Sequence, residues 1–315
     1  MRDSKDDMPP HRAILIAGPT ASGKSALALR MAQLSGGVVI NADSMQVYRD
    51  LHILTARPGP ADLAAARHEL YGYVAGNEPY SVGRWLSDAE TVMRACWQEG
   101  RLPIVTGGTG LYFKALLEGL SPIPAIPAEI REHWRGQARR LGPQALHALL
   151  AARDPETAAL LRPSDPQRLT RALEVLAATG RPLAAWLREP GKPILDQAEA
   201  LCLVVAPPRP VLQARADARF RGMMAAGALE EARALGAMGY APDLPVMRAL
   251  GVASLLVACR SEMALEMAIA RAILDTRQYI KRQQTWLNRN MIAWNSINAQ
   301  DSEINASEIF TLVRR

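Results

Sequence analysis

Apolar positions along the chain fall into two patterns: short continuous runs, and longer stretches with a single apolar face. The runs at residues 13–17, 38–40, 102–106 and 200–206 are bounded by glycine, proline or polar residues. They predict strands buried on both sides, as in a parallel sheet. A shorter strand is expected at 70–74. Between the runs, apolar residues recur every three or four positions. This predicts helices at 26–32, 60–67, 82–98, 111–119, 211–235, 248–259 and 261–288, the last with a seam of Ile273, Ile280 and Leu287. Strands alternating with helices make an α/β fold with a parallel sheet flanked by helices. The proline-rich connector at 121–127 breaks the alternation. From 128 to about 180 only helical spacing occurs, at 129–141, 143–152, 156–161 and 165–178. The expected organisation is a core of residues 10–120 and 196–315 holding an all-helical insertion at 121–195. The tail from Asn290 shows only a modest β-like or helical piece.

Chemistry enters directly after the first strand. Gly18-Pro19-Thr20-Ala21-Ser22-Gly23-Lys24-Ser25 fits the phosphate-cradling pattern G-x-x-x-x-G-K-[ST], between a strand and a helix as such a loop requires. Its backbone N–H groups and the helix N-terminus would face an anion. Lys24 would reach the outer phosphates and the Ser25 hydroxyl would ligate Mg2+, making Ser25 the candidate metal ligand. The second strand ends at Asn41-Ala42-Asp43-Ser44. Asp43 either faces the crevice beyond the strand ends or caps a helix. Gly107 and Gly108 close another strand, where glycines admit close backbone approach; a plain strand–helix turn would use them equally well. That strand ends in Thr106-Gly107, without the magnesium-linked acid of an ordinary nucleotide hydrolase.

Composition adds modest limits. Hydrophobic residues make up 49% of the 315, with no apolar run long enough to cross a membrane. Residues 1–7 precede no apolar segment, so no secretory signal is expected. Cys96, Cys202 and Cys259 lie far apart without metal-binding spacing, which fits a reduced cytoplasm. The net charge of +6 points weakly to a polyanion. Arginines cluster in the insertion, with Arg168 and Arg171 on one helical face; a solvated surface would look the same.

Taken together, GPTASGKS (18–25), NADSMQVY (41–48), GGTGLYFKALLEGL (107–120), DPQRLTRALEV (165–175), ARF (218–220) and TRQYIKRQQTWL (276–287) resemble the tRNA dimethylallyltransferase family, in its bacterial form. The likeness runs from about residue 12 to 290. It implies a P-loop NTPase-like core with a helical insertion gripping the tRNA anticodon stem-loop. The implied reaction moves a dimethylallyl group from its diphosphate to N6 of adenosine 37. Residues 18–25 would then hold the diphosphate of dimethylallyl diphosphate. Asp43 would be the general base, with Thr109 and Arg219 supporting the reacting centre. Asp43, Ser44, Met45, Gln46, Thr109, Arg131, Gln167, Arg168, Leu169, Thr170, Arg171, Arg248 and Lys281 would contact tRNA. The implied enzyme is a monomer with no membrane partner.

The chain departs from the family pattern at two places. Leu54 stands where the family usually has glycine, and Val252-Ala253 replaces a polar pair after Arg248-Ala249-Leu250-Gly251. Competing readings are an isopentenyltransferase acting on free AMP or ADP, a small-molecule P-loop kinase, and a non-catalytic RNA-binding module. The insertion argues against the first and the missing acid against the second. Lys24 and Asp43 together argue against the third.

Overall fold

The computed structural model describes residues 11–297. The expected absence of a signal at 1–7, and most of the tail expectation, lie outside them. Six strands form one all-parallel sheet: β1 Ala13–Ala17, β2 Val38–Asn41, β3 Arg67–Glu69, β4 Pro103–Gly107, β5 Ala200–Val205 and β6 Asn295–Ile297. Their spatial order is β3-β2-β4-β1-β5-β6. β1 is central, with Ile16 opposite Thr106 of β4 and Leu203 of β5.

Strand periodicity sorts side chains onto the two faces. Ile14, Ile16, Val39, Ile104, Leu201 and Leu203 pack with Leu27, Ala28 and Met31 of α1 Lys24–Ser35. Leu15, Ile40, Val105 and Cys202 pack the other way. Their partners are Trp85 and Met93 of α3 Val82–Gln98, and Phe113 and Leu116 of α4 Gly110–Glu118. α2 Pro60–Ala65 precedes β3. Burial on both faces is why the central strands read as unbroken apolar runs.

The chain divides into two compact units, residues 118–193 and the rest. The smaller unit holds α5 Ala128–Arg153, α6 Pro155–Leu160, α7 Pro166–Thr179 and α8 Leu183–Leu187. Gly142 (φ 75°) and Pro143 kink α5 into two arms. Trp134, Leu146 and Leu150 of α5 meet Leu169, Ala172, Leu173 and Val175 of α7 in a core of their own. Where the large unit resumes, α9 Arg209–Ala225, α10 Ala228–Ala237, α11 Val252–Cys259 and α12 Leu265–Asn290 follow β5.

Four expected elements differ. The strand placed at 70–74 lies earlier, at Arg67–Glu69, because Leu70 (φ 65°) and Gly72 (φ 59°) leave the extended region. Only Val74 bridges to Tyr48 there. The single helix over 211–235 is two, broken at Gly227 (φ 101°). The helix expected from Arg248 begins at Val252, after a 3-10 turn at Pro245–Arg248 and Gly251 at φ 87°. The last helix begins at Leu265 rather than 261, and a short strand, β6, follows it.

Candidate active site

The phosphate loop leaves β1 at its carboxyl end and enters α1 through Gly23, whose φ of 96° forms the turn. The loop is braced from both sides. Gly18 N–H donates to Gly107 O (3.3 Å) and Ser22 N–H to Pro19 O (3.2 Å). Gln283 of α12 accepts from Thr20 N–H (2.9 Å) through Oε1 and donates to Gly108 O (3.1 Å) through Nε2. Buried to 6% exposure, this one amide ties the phosphate loop to the Gly-Gly-Thr turn. No chemical rule applied to the sequence singles it out, although it stands inside the TRQYIKRQQTWL block.

Lys24 Nζ donates to Pro19 O at 3.2 Å. Its pKa is pushed down to about 8, chiefly by burial; Asp43 opposes the shift and Arg219 adds to it. Burial also lowers the Arg219 guanidinium from its ordinary value, again against the pull of Asp43. Two cations thus share the field of one carboxylate, next to a cradle of backbone donors. Ion pairing also holds α9, which carries Arg219, to α12: Arg277 Nε donates to Asp217 Oδ1 at 3.0 Å.

Asp43 caps no helix; it sits in a turn after β2. Its N–H donates to Asn41 Oδ1 (2.8 Å), and its Oδ1 accepts from Met45 N–H (2.9 Å). Asn41 also donates through Nδ2 to Asp43 O and Leu70 O, both at 3.0 Å. The Thr109 hydroxyl accepts from Ser44 N–H (3.0 Å), and Thr109 N–H donates to Ala42 O (3.1 Å). Gly107 is required here, since a Cβ on it would lie 2.1 Å from the Ala42 backbone. Gly110 likewise sits against Trp286, whose ring a Cβ would meet at 2.1 Å. The phenols of Tyr71, Tyr112 and Tyr279 lie within the field of the carboxylate. Burial raises the pKa of each, with the Asp43 charge adding to the effect. Tyr112 stacks on Trp85 with ring centroids 4.2 Å apart.

The structure therefore brings residues 18–25, Asp43–Gln46, Thr109 and Arg219 together at the carboxyl ends of β1, β2 and β4. In the helical unit, Arg131, Gln167 and Arg168 are exposed and Arg171 is half-buried. Two of the expected contact residues there present little side chain at the surface. Leu169 is fully buried in the unit's core, so its side chain is unavailable to a ligand. The hydroxyl of the buried Thr170 is taken by Pro166 O at 2.6 Å. Lys281 is exposed on α12. Arg248 lines a cleft of about 210 Å³ with Gly251, Asp275, Gln278 and Arg282. Two of the three departing residues are absorbed as packing, since Leu54 (7% exposed) and Val252 (0%) share a core with Phe220, while Ala253 is exposed at the Arg248 cleft.

A phosphate loop on a parallel sheet, with a carboxylate and two cations beside it, defines an α/β P-loop protein built to act on a phosphorylated substrate. Among the described residues no group of three His, Cys, Asp or Glu could cage a metal. The IPP transferase family model matches residues 46–290, and the isopentenyl transferase model residues 11–72. The chain belongs to the IPP transferase family. It is 50% identical to the tRNA dimethylallyltransferase of Parvibaculum lavamentivorans, over 97% of this chain and 96% of that one. The tRNA dimethylallyltransferase of Methylobacterium nodulans is 57% identical over 89% and 92%. Among solved structures, the tRNA isopentenylpyrophosphate transferase of Bacillus halodurans superposes with a TM-score of 0.67 at 29% identity, covering 96% of this chain and 97% of that one. A eukaryotic dimethylallyltransferase acting on tRNA gives 0.79 at 28% identity, covering 92% and 74%.

Proposed function

We propose that this protein transfers the dimethylallyl group of dimethylallyl diphosphate to N6 of adenosine 37 in tRNA, releasing diphosphate. One observation carries the reading: the Asp43 loop is pinned by Ser44 N–H donating to the Thr109 hydroxyl, with the carboxylate accepting from Met45 N–H, beside a phosphate cradle whose neighbouring strand β4 ends without a hydrolytic acid. The loop N–H groups, Lys24 and Arg219 neutralise the diphosphate as the allylic C–O bond breaks and its electron pair leaves. The adenine amine forms the new C–N bond, and Asp43 takes its proton. Thr109 holds the Asp43 loop and supports the reacting centre.

For Mg2+, the donors present fit a hard cation held mainly by substrate oxygens. The Ser25 hydroxyl is exposed in the first turn of α1. The Thr106 hydroxyl, at the end of β4 and on the α1 face, is buried without a partner. Bound with the diphosphate, Mg2+ would supply charge neutralisation of the leaving group.

On the RNA side we assign contacts to Asp43–Gln46, Thr109, Arg248 and Lys281, and in the insertion at 121–195 to Arg131, Gln167, Arg168 and Arg171. Turning a stacked base out of its loop suits such a basic helical grip. We take the protein to act as a cytoplasmic monomer. Its three cysteines are free thiols, and no described helix is long and apolar enough to cross a membrane.

The test is incubation with radiolabelled dimethylallyl diphosphate, Mg2+ and unmodified tRNA, with AMP and ATP in parallel. Label in tRNA alone is the expected result. Label in AMP alone would make the chain a free-nucleotide prenyltransferase. Phosphate release from ATP without transfer would return the loop to its commoner use.

A further inference from the structure

The turn at residues 51–57 begins with N–H groups that have no partner within their own segment, as any helical turn does. A carboxylate from elsewhere in the fold takes all three. Glu231, on α10, accepts from His52 N–H (2.6 Å) and Ile53 N–H (2.8 Å) through Oε1 and from Leu54 N–H (2.8 Å) through Oε2. A carboxylate seated in a row of consecutive amides is a charge-assisted grip, stronger and more directional than neutral hydrogen bonds. One and two residues beyond Leu54, the same turn presents its carbonyls to the reacting loop. Gln46 Nε2 donates to Thr55 O and Ala56 O, both at 2.9 Å. Both donor hydrogens of the amide are therefore spent, which fixes its orientation. Its oxygen has no protein partner among the described residues and is solvent-accessible, three residues from Asp43.

We propose that Glu231 is a positioning residue of the reaction. Its grip on residues 52–54 fixes the Thr55 and Ala56 carbonyls that lock the Gln46 amide, so Gln46 offers the substrate base only an acceptor. An acceptor on the same turn as Asp43 receives a base edge that donates, such as an exocyclic amine, and repels one presenting a carbonyl oxygen. The inference rests on the reading of Asp43 as the group facing that amine. It also explains why a turn with leucine at position 54 remains defined: the anchor is the backbone, not the side chain.

A double-mutant cycle tests it, using Glu231→Gln, Gln46→Ala and the pair, with dimethylallyl diphosphate and an unmodified anticodon stem-loop RNA. Glu231→Gln should lower kcat/KM toward RNA roughly 10- to 100-fold, the scale of a small misplacement at a reacting centre. KM for the diphosphate should stay within about twofold, a margin far inside the effect sought. In the Gln46→Ala background the same change should add nothing, because its route is already cut. Glu231→Asp, which keeps the charge, should recover part of the loss and serves in place of Glu231→Gln if that variant does not fold. Losses that multiply in the pair, an undiminished kcat/KM, or an equal rise in the diphosphate KM would each overturn the relay. The wild-type control separates the two claims. If the wild type transfers nothing to RNA, the functional reading fails, and the same cycle read as RNA affinity then decides the relay.

Discussion

Gln283 is the residue whose loss should be felt in both halves of the site at once. In Gln283→Leu the side-chain volume is nearly kept, so the cavity left behind is small. What goes are two hydrogen bonds, leaving the Thr20 N–H and the buried Gly108 O without partners. Each orphaned group costs about 1–3 kcal/mol, so we expect a loss of about 2–6 kcal/mol for the two, a large share of the 5–15 kcal/mol typical of a whole domain. At roughly 2–4 °C per kcal/mol, the scale for domains of about 150–250 residues, the thermal midpoint should fall by about 4–24 °C. Gln283→Glu sharpens the test. A carboxylate can still accept from Thr20 N–H, but it sets an oxygen against Gly108 O, so this near-isostere should do no better. Thermal unfolding with and without dimethylallyl diphosphate, followed by steady-state kinetics, gives the readout. A rise in the diphosphate KM together with a fall in kcat is expected, since one amide braces the cradle and the turn that carries Thr109. A midpoint within about 1 °C of wild type, against the size scaling above, would refute the brace.

Four further outcomes follow from the same geometry. Lys24, with its pKa lowered to about 8, loses its charge in the free protein as pH rises through that value. Diphosphate affinity should therefore be flat below it and fall by up to about tenfold per pH unit above it; titration calorimetry from pH 7 to 9.5 checks this, and an unchanged Kd at pH 9.5 would contradict it. Asp43→Asn should lower kcat by about 10²–10⁴-fold without weakening diphosphate binding, because it removes a negative charge from beside Lys24 and Arg219. Gly107→Ala, whose Cβ would lie 2.1 Å from the Ala42 backbone, should cost about 3 kcal/mol or more by denaturant unfolding. Replacing both Arg168 and Arg171 by alanine should weaken RNA binding, reduce its log–log salt slope by about two, and leave the diphosphate KM alone; equal losses in both would move these arginines into the reacting centre.

Much of this was legible before any coordinates. The phosphate loop is a local device, since its glycines, Lys24 and Ser25 need only a strand before them and a helix after. The four buried strands were legible because burial on both faces leaves an unbroken apolar run, whatever the neighbouring strand is. Gly142-Pro143 likewise marks the kink of α5 from covalent geometry alone. The failures arose where backbone conformation answers to tertiary contacts. Residues 70–74 have strand-like composition, yet Leu70 adopts φ 65° while its carbonyl accepts from Asn41. Gly227 could have continued a helix, and whether a glycine breaks one is decided by what the next segment must reach. Side-chain direction was hidden for the same kind of reason: Leu169 stands in the DPQRLTRALEV block, and only the packing of α5 on α7 shows its side chain turned into the core.

The sequence by itself determined the fold class and the phosphate cradle, because those depend on residue type and on spacing within one segment, whereas Asp43 stood out as a base only through the resemblance of motifs spread along the whole chain. The tertiary structure alone decided what holds them in register: Gln283 reaching back to residues 20 and 108, Thr109 to Ser44, and Glu231 to the turn at 52–54. Such partners lie up to 263 positions apart. A glutamine or glutamate in a helix carries no mark of the distant backbone groups it will satisfy, and only closure of the sheet and packing of the late helices over it bring them within hydrogen-bonding distance.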